Sequence, residues 1–317
     1  MATTAAVPAG KTSRALVRFA WVVVGYNVLV ILWGALVRAT GSGAGCGNHW
    51  PLCNGEVIPL SPRADTVIEF THRMMTGGSI FFVVGLLVWT FRRTIKGQAA
   101  RVLAVVSTVL LANEAILGAL LVKLGYVTGN QSMGRVVMLS IHLSNTLLLL
   151  AALTLTARLL GTGQMWNELG ADTGKKGWAL LGLAATLVVG VSGSLAALGD
   201  TLFPASSLRA AFAQDFAVGS PWLLRLRGVH PVSAVVAGVF VLWLVGQAKR
   251  SGARRPAGIV LALLGFQFAL GLVDVLLLAP VWMQILHLLG ADLYWVALVV
   301  LAAIVVWPNR DPTLLRT

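Results

Sequence analysis

Apolar residues fall in eight long runs divided by short polar stretches: Phe19 to Val37, Val67 to Phe91, Val102 to Val122, Val136 to Leu159, Trp178 to Leu198, Gly228 to Val245, Gly258 to Leu278 and Trp282 to Trp307. Crossing the hydrocarbon of a bilayer takes about 20 residues of helix, because each backbone N–H and C=O must find its partner inside the segment. Strands that span membranes are about half that length and do not account for the runs. The pattern predicts an all-α integral membrane protein with eight transmembrane helices. Lys11, Arg14 and Arg18 precede the first run as in a signal peptide. That run is too long for one, and no small-residue cleavage site follows it, so a retained helix is expected.

Composition sharpens this reading. The chain is 57% hydrophobic and 11% charged, with a mean hydropathy of +0.85, whereas soluble domains carry about 25% charged residues. A net charge of +13 raises the question of nucleic acid, but the basic residues sit in short clusters between the apolar runs. Lys11, Arg14 and Arg18, then Arg92, Arg93, Lys96 and Arg101, then Arg158, Lys175 and Lys176, then Lys249, Arg250, Arg254 and Arg255, and last Arg310 and Arg316 all fall on one side, 16 of the 24. This is the positive-inside signature. It puts both termini in the cytoplasm, places Cys46 and Cys53 outside, and makes the lipid bilayer of a bacterial plasma (inner) membrane the partner, with no role for nucleic acid.

An internal repeat organises the chain. "WGALVRATG" at the first run resembles "VSGSLAALG" at the fifth, pairing Gly34 with Gly193; the next helical histidine follows 38 residues after Gly34 (His72) and 37 after Gly193 (His230). "NEAILGALLV" pairs likewise with "FQFALGLVDV", Gly118 opposite Gly271, followed by His142 and His287. We therefore expect two pseudo-symmetric four-helix bundles, residues 1–160 and 178–317, joined by a cytoplasmic linker at 161–177. An even number of helices in each half makes this a parallel repeat.

Of five histidines, His49 lies in the outer loop and the others fall one per even-numbered run: His72, His142, His230 and His287. Each lies five to ten residues inside the outer surface, roughly 8 to 15 Å deep at 1.5 Å per residue. An ionisable side chain within a membrane helix is costly unless paired. One alone is accounted for by a hydrogen bond to a neighbouring helix; four at one depth, paired by a repeat, point further. Two histidines on facing helices can supply both axial ligands of a haem iron, so each half has the means to hold one haem. Zinc or copper asks for three or four convergent ligands, and each half offers two histidines. Small residues near the histidines suit a flat macrocycle or ordinary close helix packing: Gly77 and Gly78, Ser233 and Ala234, Gly290 and Ala291.

The halves differ. Glu69 stands one helical turn before His72, where the second half has Arg227 before His230. A carboxylate beside one site suits proton transfer, and a guanidinium beside the other suits the propionates of a permanent haem. Thr66-x-x-Glu69 also has the form of a capping box at a helix start, which explains the carboxylate equally well. Glu114 aligns with Gln267 and calls for no more than a polar contact between helices, while Asp274 and Asp292 have no partner legible in the sequence.

"GSGAGCGNHWPLCNG", Gly41 to Gly55, holds both cysteines. Cys46, His49 and Cys53 supply only three candidate metal ligands. Outside a bacterial plasma membrane two nearby thiols are expected to pair, and closing so short a loop constrains the unfolded chain by about 2.5 kcal/mol. A disulfide is the expectation, and the loop is placed to cover the outer mouth of the half bearing Glu69 and His72.

Taken together, "GALVRATGSGAGCGNHWPLCNG", "VIEFTHR", "ILGALLV", "SIHLSNT" and the later His230 and His287 resemble haem A synthases over nearly the whole chain. In that family the C8 methyl group of haem O is oxidised to a formyl group, giving haem A for terminal oxidases. The resemblance implies that His72 and His142 flank haem O, substrate and then haem A product, in the N-terminal half, that His230 and His287 ligate a haem b in the C-terminal half, and that Glu69 is the acidic residue near the reacting centre. It also implies a haem O synthase and oxidase assembly factors as partners. Some members carry a second outer cysteine pair; Gly199 to Arg227 has none, a departure from the pattern that puts a relay of two disulfides in doubt. A di-haem cytochrome passing electrons between quinol and a partner requires the same four histidines, and a transporter of parallel repeats fits the topology.

Overall fold

A computed structural model describes residues 13–169 and 173–307. Lys11, Arg310, Arg316 and both termini lie outside the described residues, as do residues 170–172 of the expected linker. Among the described residues the structure is helical, with eight helices long and apolar enough to cross a membrane: α1 (Arg14–Ala39), α2 (Ala64–Arg93), α3 (Ala99–Lys123), α4 (Met133–Thr162), α5 (Thr173–Leu202), α8 (Val229–Arg250), α9 (Arg254–Leu276) and α10 (Val281–Val306). Two short helices, α6 (Leu208–Phe216) and α7 (Trp222–Arg225), lie between α5 and α8.

The helices extend beyond the apolar runs. Interfacial charged residues continue a helix readily, so α2 carries Asp65 in its first turn and Arg92 and Arg93 in its last. The region 161–177 is less of a linker than the sequence implied. The helix α4 runs to Thr162 and α5 begins at Thr173, and the connection between them is pinned where Trp166 N–H donates to Gly97 O at 2.8 Å and Ala99 N–H to Gln164 O at 3.1 Å.

The helix α1 packs on α2 and α4, α3 packs on α2 and α4, and α5, α8, α9 and α10 contact one another in the same cyclic order. The two sets meet where α1 and α4 touch α5 and α10. The helix α10 lies deepest, with Leu298, Leu301 and Val299 buried, and Trp295 Nε1 donates to Leu147 O of α4 at 2.8 Å. Large apolar side chains such as Phe81, Val109, Val232, Val239 and Leu272 point outward. In water this surface would be an aggregation hazard; against lipid it is the solvent-matched face.

Candidate functional site

The four helical histidines stand on α2, α4, α8 and α10, and each ring lies against a glycine of another span. A Cβ added at Gly34 would sit 3.0 Å from His72 Cε1, at Gly118 3.8 Å from His142 Cε1, at Gly193 2.8 Å from His230 Cε1, and at Gly271 3.3 Å from His287 Cε1. These are the four glycines that the repeat aligned. Each leaves its imidazole room against a helix backbone, the close approach that small residues permit in membranes.

Of the small residues singled out beside the histidines, Gly77 meets open space, and three others take the second of their two readings, close packing. Gly78 accommodates Tyr26, whose hydroxyl would be 2.3 Å from a Cβ there, and Gly290 accommodates Gln267 Oε1 at 3.1 Å. Ser233 donates to His230 O at 2.8 Å and shares a hydrogen bond with Ser192 at 2.9 Å. Gly78, Gly290 and Ser233 therefore serve contacts within the protein.

The His230 and His287 rings have centroids 6.3 Å apart and planes at 83°. Nδ1 of His230 lies 3.2 Å from Val189 O, which fixes the ring and directs its other nitrogen away from that carbonyl. Nδ1 of His72, of His142 and of His287 is buried with no hydrogen-bond partner among the described residues.

Glu69 is 3% exposed and does not close a capping box. The helix α2 starts earlier, with Arg63 as its N-cap, and the Thr66 hydroxyl donates to Gly45 O of the cysteine loop at 2.8 Å. The Glu69 carboxylate accepts from Cys46 N–H at 2.8 Å and from Arg73, Nε at 3.2 Å and Nη2 at 2.5 Å. Arg73 Nη1 donates onward to His49 O and Leu52 O, each at 2.7 Å. The loop itself is closed by a Cys46–Cys53 disulfide. It is pressed so closely onto α2 that a Cβ at Gly45 would lie 2.4 Å from Asp65 O. Its other flank meets the α3–α4 connection, where the Thr128 hydroxyl donates to Gly41 O at 2.6 Å. The loop covers the N-terminal end of α2, and Arg73 helps to fasten it, four positions after Glu69 and so on the same helix face.

Glu114 makes the polar contact between helices that was expected of it, and it also faces a histidine. Its carboxylate accepts from Asn145 Nδ2 at 2.6 Å and from the Thr146 hydroxyl, and stands 3.5 Å from His142 Nδ1. That last distance is an electrostatic approach, longer than a formed hydrogen bond. Gln267, its aligned counterpart, donates instead to His287 O at 3.2 Å. Arg227 forms ion pairs with Asp200 at 2.9 Å and Asp215 at 3.3 Å and donates to Phe203 O, so its charge is already matched within the protein. Asp274 and Asp292 each keep a buried carboxylate oxygen with no hydrogen-bond partner among the described residues.

Sequence reasoning passed over Arg38. Its Nη1 donates to Ala197 O at 2.9 Å and to the Thr201 hydroxyl at 3.1 Å, and its Nη2 to Gln284 Oε1 at 2.9 Å, tying α1 to α5 and α10. Its partners lie 159 to 246 residues away in sequence, so no local pattern could have announced them.

These features define a multi-pass helical membrane protein with paired histidines packed on glycines, and a disulfide-closed loop seated on the span that carries the first of them. The chain belongs to the COX15-CtaA family of cytochrome oxidase assembly proteins, whose pattern matches residues 17–299. It is 46% identical over 292 residues to a protohaem IX farnesyltransferase of Thermus thermophilus, an alignment that takes in 90% of this chain and 48% of that protein. It is also 47% identical over 92 residues to a haem A synthase of Shouchella clausii (29% of this chain, 31% of that one) and 37% identical over 128 residues to one of Alkalihalophilus pseudofirmus (40% of each). The chain spans about half the length of the Thermus relative.

Proposed function

We propose that this chain is a haem A synthase, oxidising the C8 methyl group of haem O to a formyl group for assembly of a terminal oxidase. The observation that carries the reading is the His230–His287 pair. His230 and His287 would hold the iron between them: two imidazoles that share one metal ion would have ring centroids roughly 6 Å apart, and these stand at 6.3 Å. The unpartnered Nδ1 atoms of His72, His142 and His287 and the glycine beside each ring are further support, since a ring held for a ligand needs room to be oriented.

In this reading His230 and His287 hold haem b, which supplies one-electron transfer when bound. His72 and His142 flank haem O, and the methyl group is hydroxylated twice. With water as the oxygen donor and an external one-electron acceptor as the oxidant, each hydroxylation puts one water oxygen on the carbon and releases two protons and two electrons. The electrons leave one at a time by way of the second site, and the geminal diol then loses water to leave the aldehyde. Conjugation with the macrocycle lowers the barrier by spreading the charge or spin that develops on the carbon. Glu69, paired with the adjacent Arg73 guanidinium, accepts a proton or positions water at its carboxylate. A haem O synthase supplies the substrate, and oxidase assembly factors receive the product.

Farnesyl transfer, named for the Thermus relative, belongs in this reading to the part of that protein outside the match. The two activities are separated by expressing the full chain beside a haem O synthase and identifying extracted haems by mass spectrometry, with and without His72. Formyl haem that depends on His72 supports the proposal. Unchanged haem O, or farnesylation of protohaem by the chain alone, refutes it.

Two further results are expected. Gly193→Leu forces atoms into the space of the His230 ring and should lower haem b content of the purified protein several-fold, read by pyridine haemochrome, while Gly25→Leu, at a position with open space, should leave it unchanged. Glu114→Gln removes the negative charge facing His142 Nδ1. A carboxylate beside a ligating imidazole raises its basicity, so this variant should raise the reduction potential of the N-terminal haem and leave that of haem b unchanged, measured by redox titration.

A further inference from the structure

Arg135 lies in the first turn of α4, 5% exposed. Its Nη1 donates to Asn130 O at 2.7 Å, but its Nε is buried with no hydrogen-bond partner among the described residues. Among the described residues no carboxylate lies within ion-pair distance of it. A buried guanidinium without a counter-charge is strongly disfavoured, so its retention points to an anion.

Its position says which anion. Arg135 precedes His142 by seven residues, two helical turns, and so shares its helix face about 10 Å nearer the outer surface. Arg38 precedes no histidine, but it follows Gly34, the glycine against the His72 ring, by one turn on α1; Gly41, three residues further on, meets the α3–α4 connection at Thr128, and Arg135 holds the same connection at Asn130. Two cations thus stand at the ends of α1 and α4 that meet the α3–α4 connection. The repeat places Pro280 opposite Arg135 and Ala197 opposite Arg38, so the C-terminal half has no such pair.

We infer that Arg135, with Arg38 beside it, binds a carboxylate on the edge of the macrocycle in the N-terminal half and thereby sets which edge of the substrate faces outward. The inference rests on the proposed placement of haem O between His72 and His142. A flat ligand centred at the level of His142 brings its carboxylate-bearing edge to the level of Arg135. Since Arg38 is held by Ala197, Thr201 and Gln284, Arg135 supplies the free donor.

The test uses the purified full chain, depleted of haem, with two probes: ferric protohaem, and its dimethyl ester, which lacks the carboxylates. Binding at the N-terminal half is followed in a background carrying His230→Ala and His287→Ala. Arg135→Gln should weaken protohaem binding by about ten-fold or more, the range of one charge-assisted hydrogen bond, and should not change binding of the ester; Arg135→Lys should recover part of the loss. Equal protohaem affinity in Arg135→Gln and the parent, or an equal loss for both probes, overturns the inference. If added phosphatidylglycerol abolishes the difference, Arg135 serves a lipid headgroup and the inference is likewise wrong. Should further replacement of His72 and His142 leave protohaem binding intact, the underlying placement of haem O fails, a result distinct from any Arg135 outcome.

Discussion

Replacing either His72 or His142 with Ala abolishes formation of formyl haem, while the purified variants keep haem b; this is the largest effect expected. Replacing His230 or His287 should instead remove haem b and stop conversion, since in the proposed mechanism the electrons would then have no route out. The contrast between the two pairs, read by haem extraction and absorbance, distinguishes a substrate site from a resident one. In a di-haem cytochrome all four variants would lose pigment alike, and no parent preparation would contain a formyl group. The rings themselves are not needed to close the helix packing, since each lies in space left by a glycine, so truncation leaves the fold in place. Cavity formation at a part-buried site should cost about 1 to 3 kcal/mol.

The second large effect is at Glu69. Glu69→Gln retains an acceptor for Cys46 N–H but removes the charge facing Arg73, so haem content should persist while conversion of haem O falls by at least a hundred-fold, the scale of a lost general base. Loss of a buried ion-pair partner also destabilises, and Arg73→Gln separates the two roles. It should loosen the loop, speeding reduction of the Cys46–Cys53 disulfide by dithiothreitol, while leaving the Glu69 carboxylate in place with partial activity. If Glu69→Gln forms haem A at the parent rate, Glu69 takes no part in the chemistry and serves the loop alone.

The spans were legible because lipid imposes a length and a composition on every helix that crosses it. Cys46 and Cys53 were legible as a pair for a related reason: two thiols close in sequence have few other fates outside the membrane. The repeat was legible too, and it marked Gly34, Gly118, Gly193 and Gly271 before any contact was known, yet what they do was not. Sequence adjacency favoured Gly78 and Gly290 as the small residues that matter to the histidines, whereas packing brings in glycines from other helices. The capping-box motif at Thr66 misled in the same way. Its local form is correct, but the loop arrives from outside the helix and takes both side chains. Arg73 was within reach of inference, one helical turn from Glu69. Arg38 and Glu114 were not, because what gives each its meaning is a partner on another helix.

The most direct measurement is low-temperature electron paramagnetic resonance of the oxidised, purified full chain, alongside its haem-to-protein ratio. Low-spin ferric signals of bis-imidazole ligation, lost in His230→Ala and His287→Ala, are the predicted result. A colourless protein, or haem whose spectrum is indifferent to these histidines, would contradict the account.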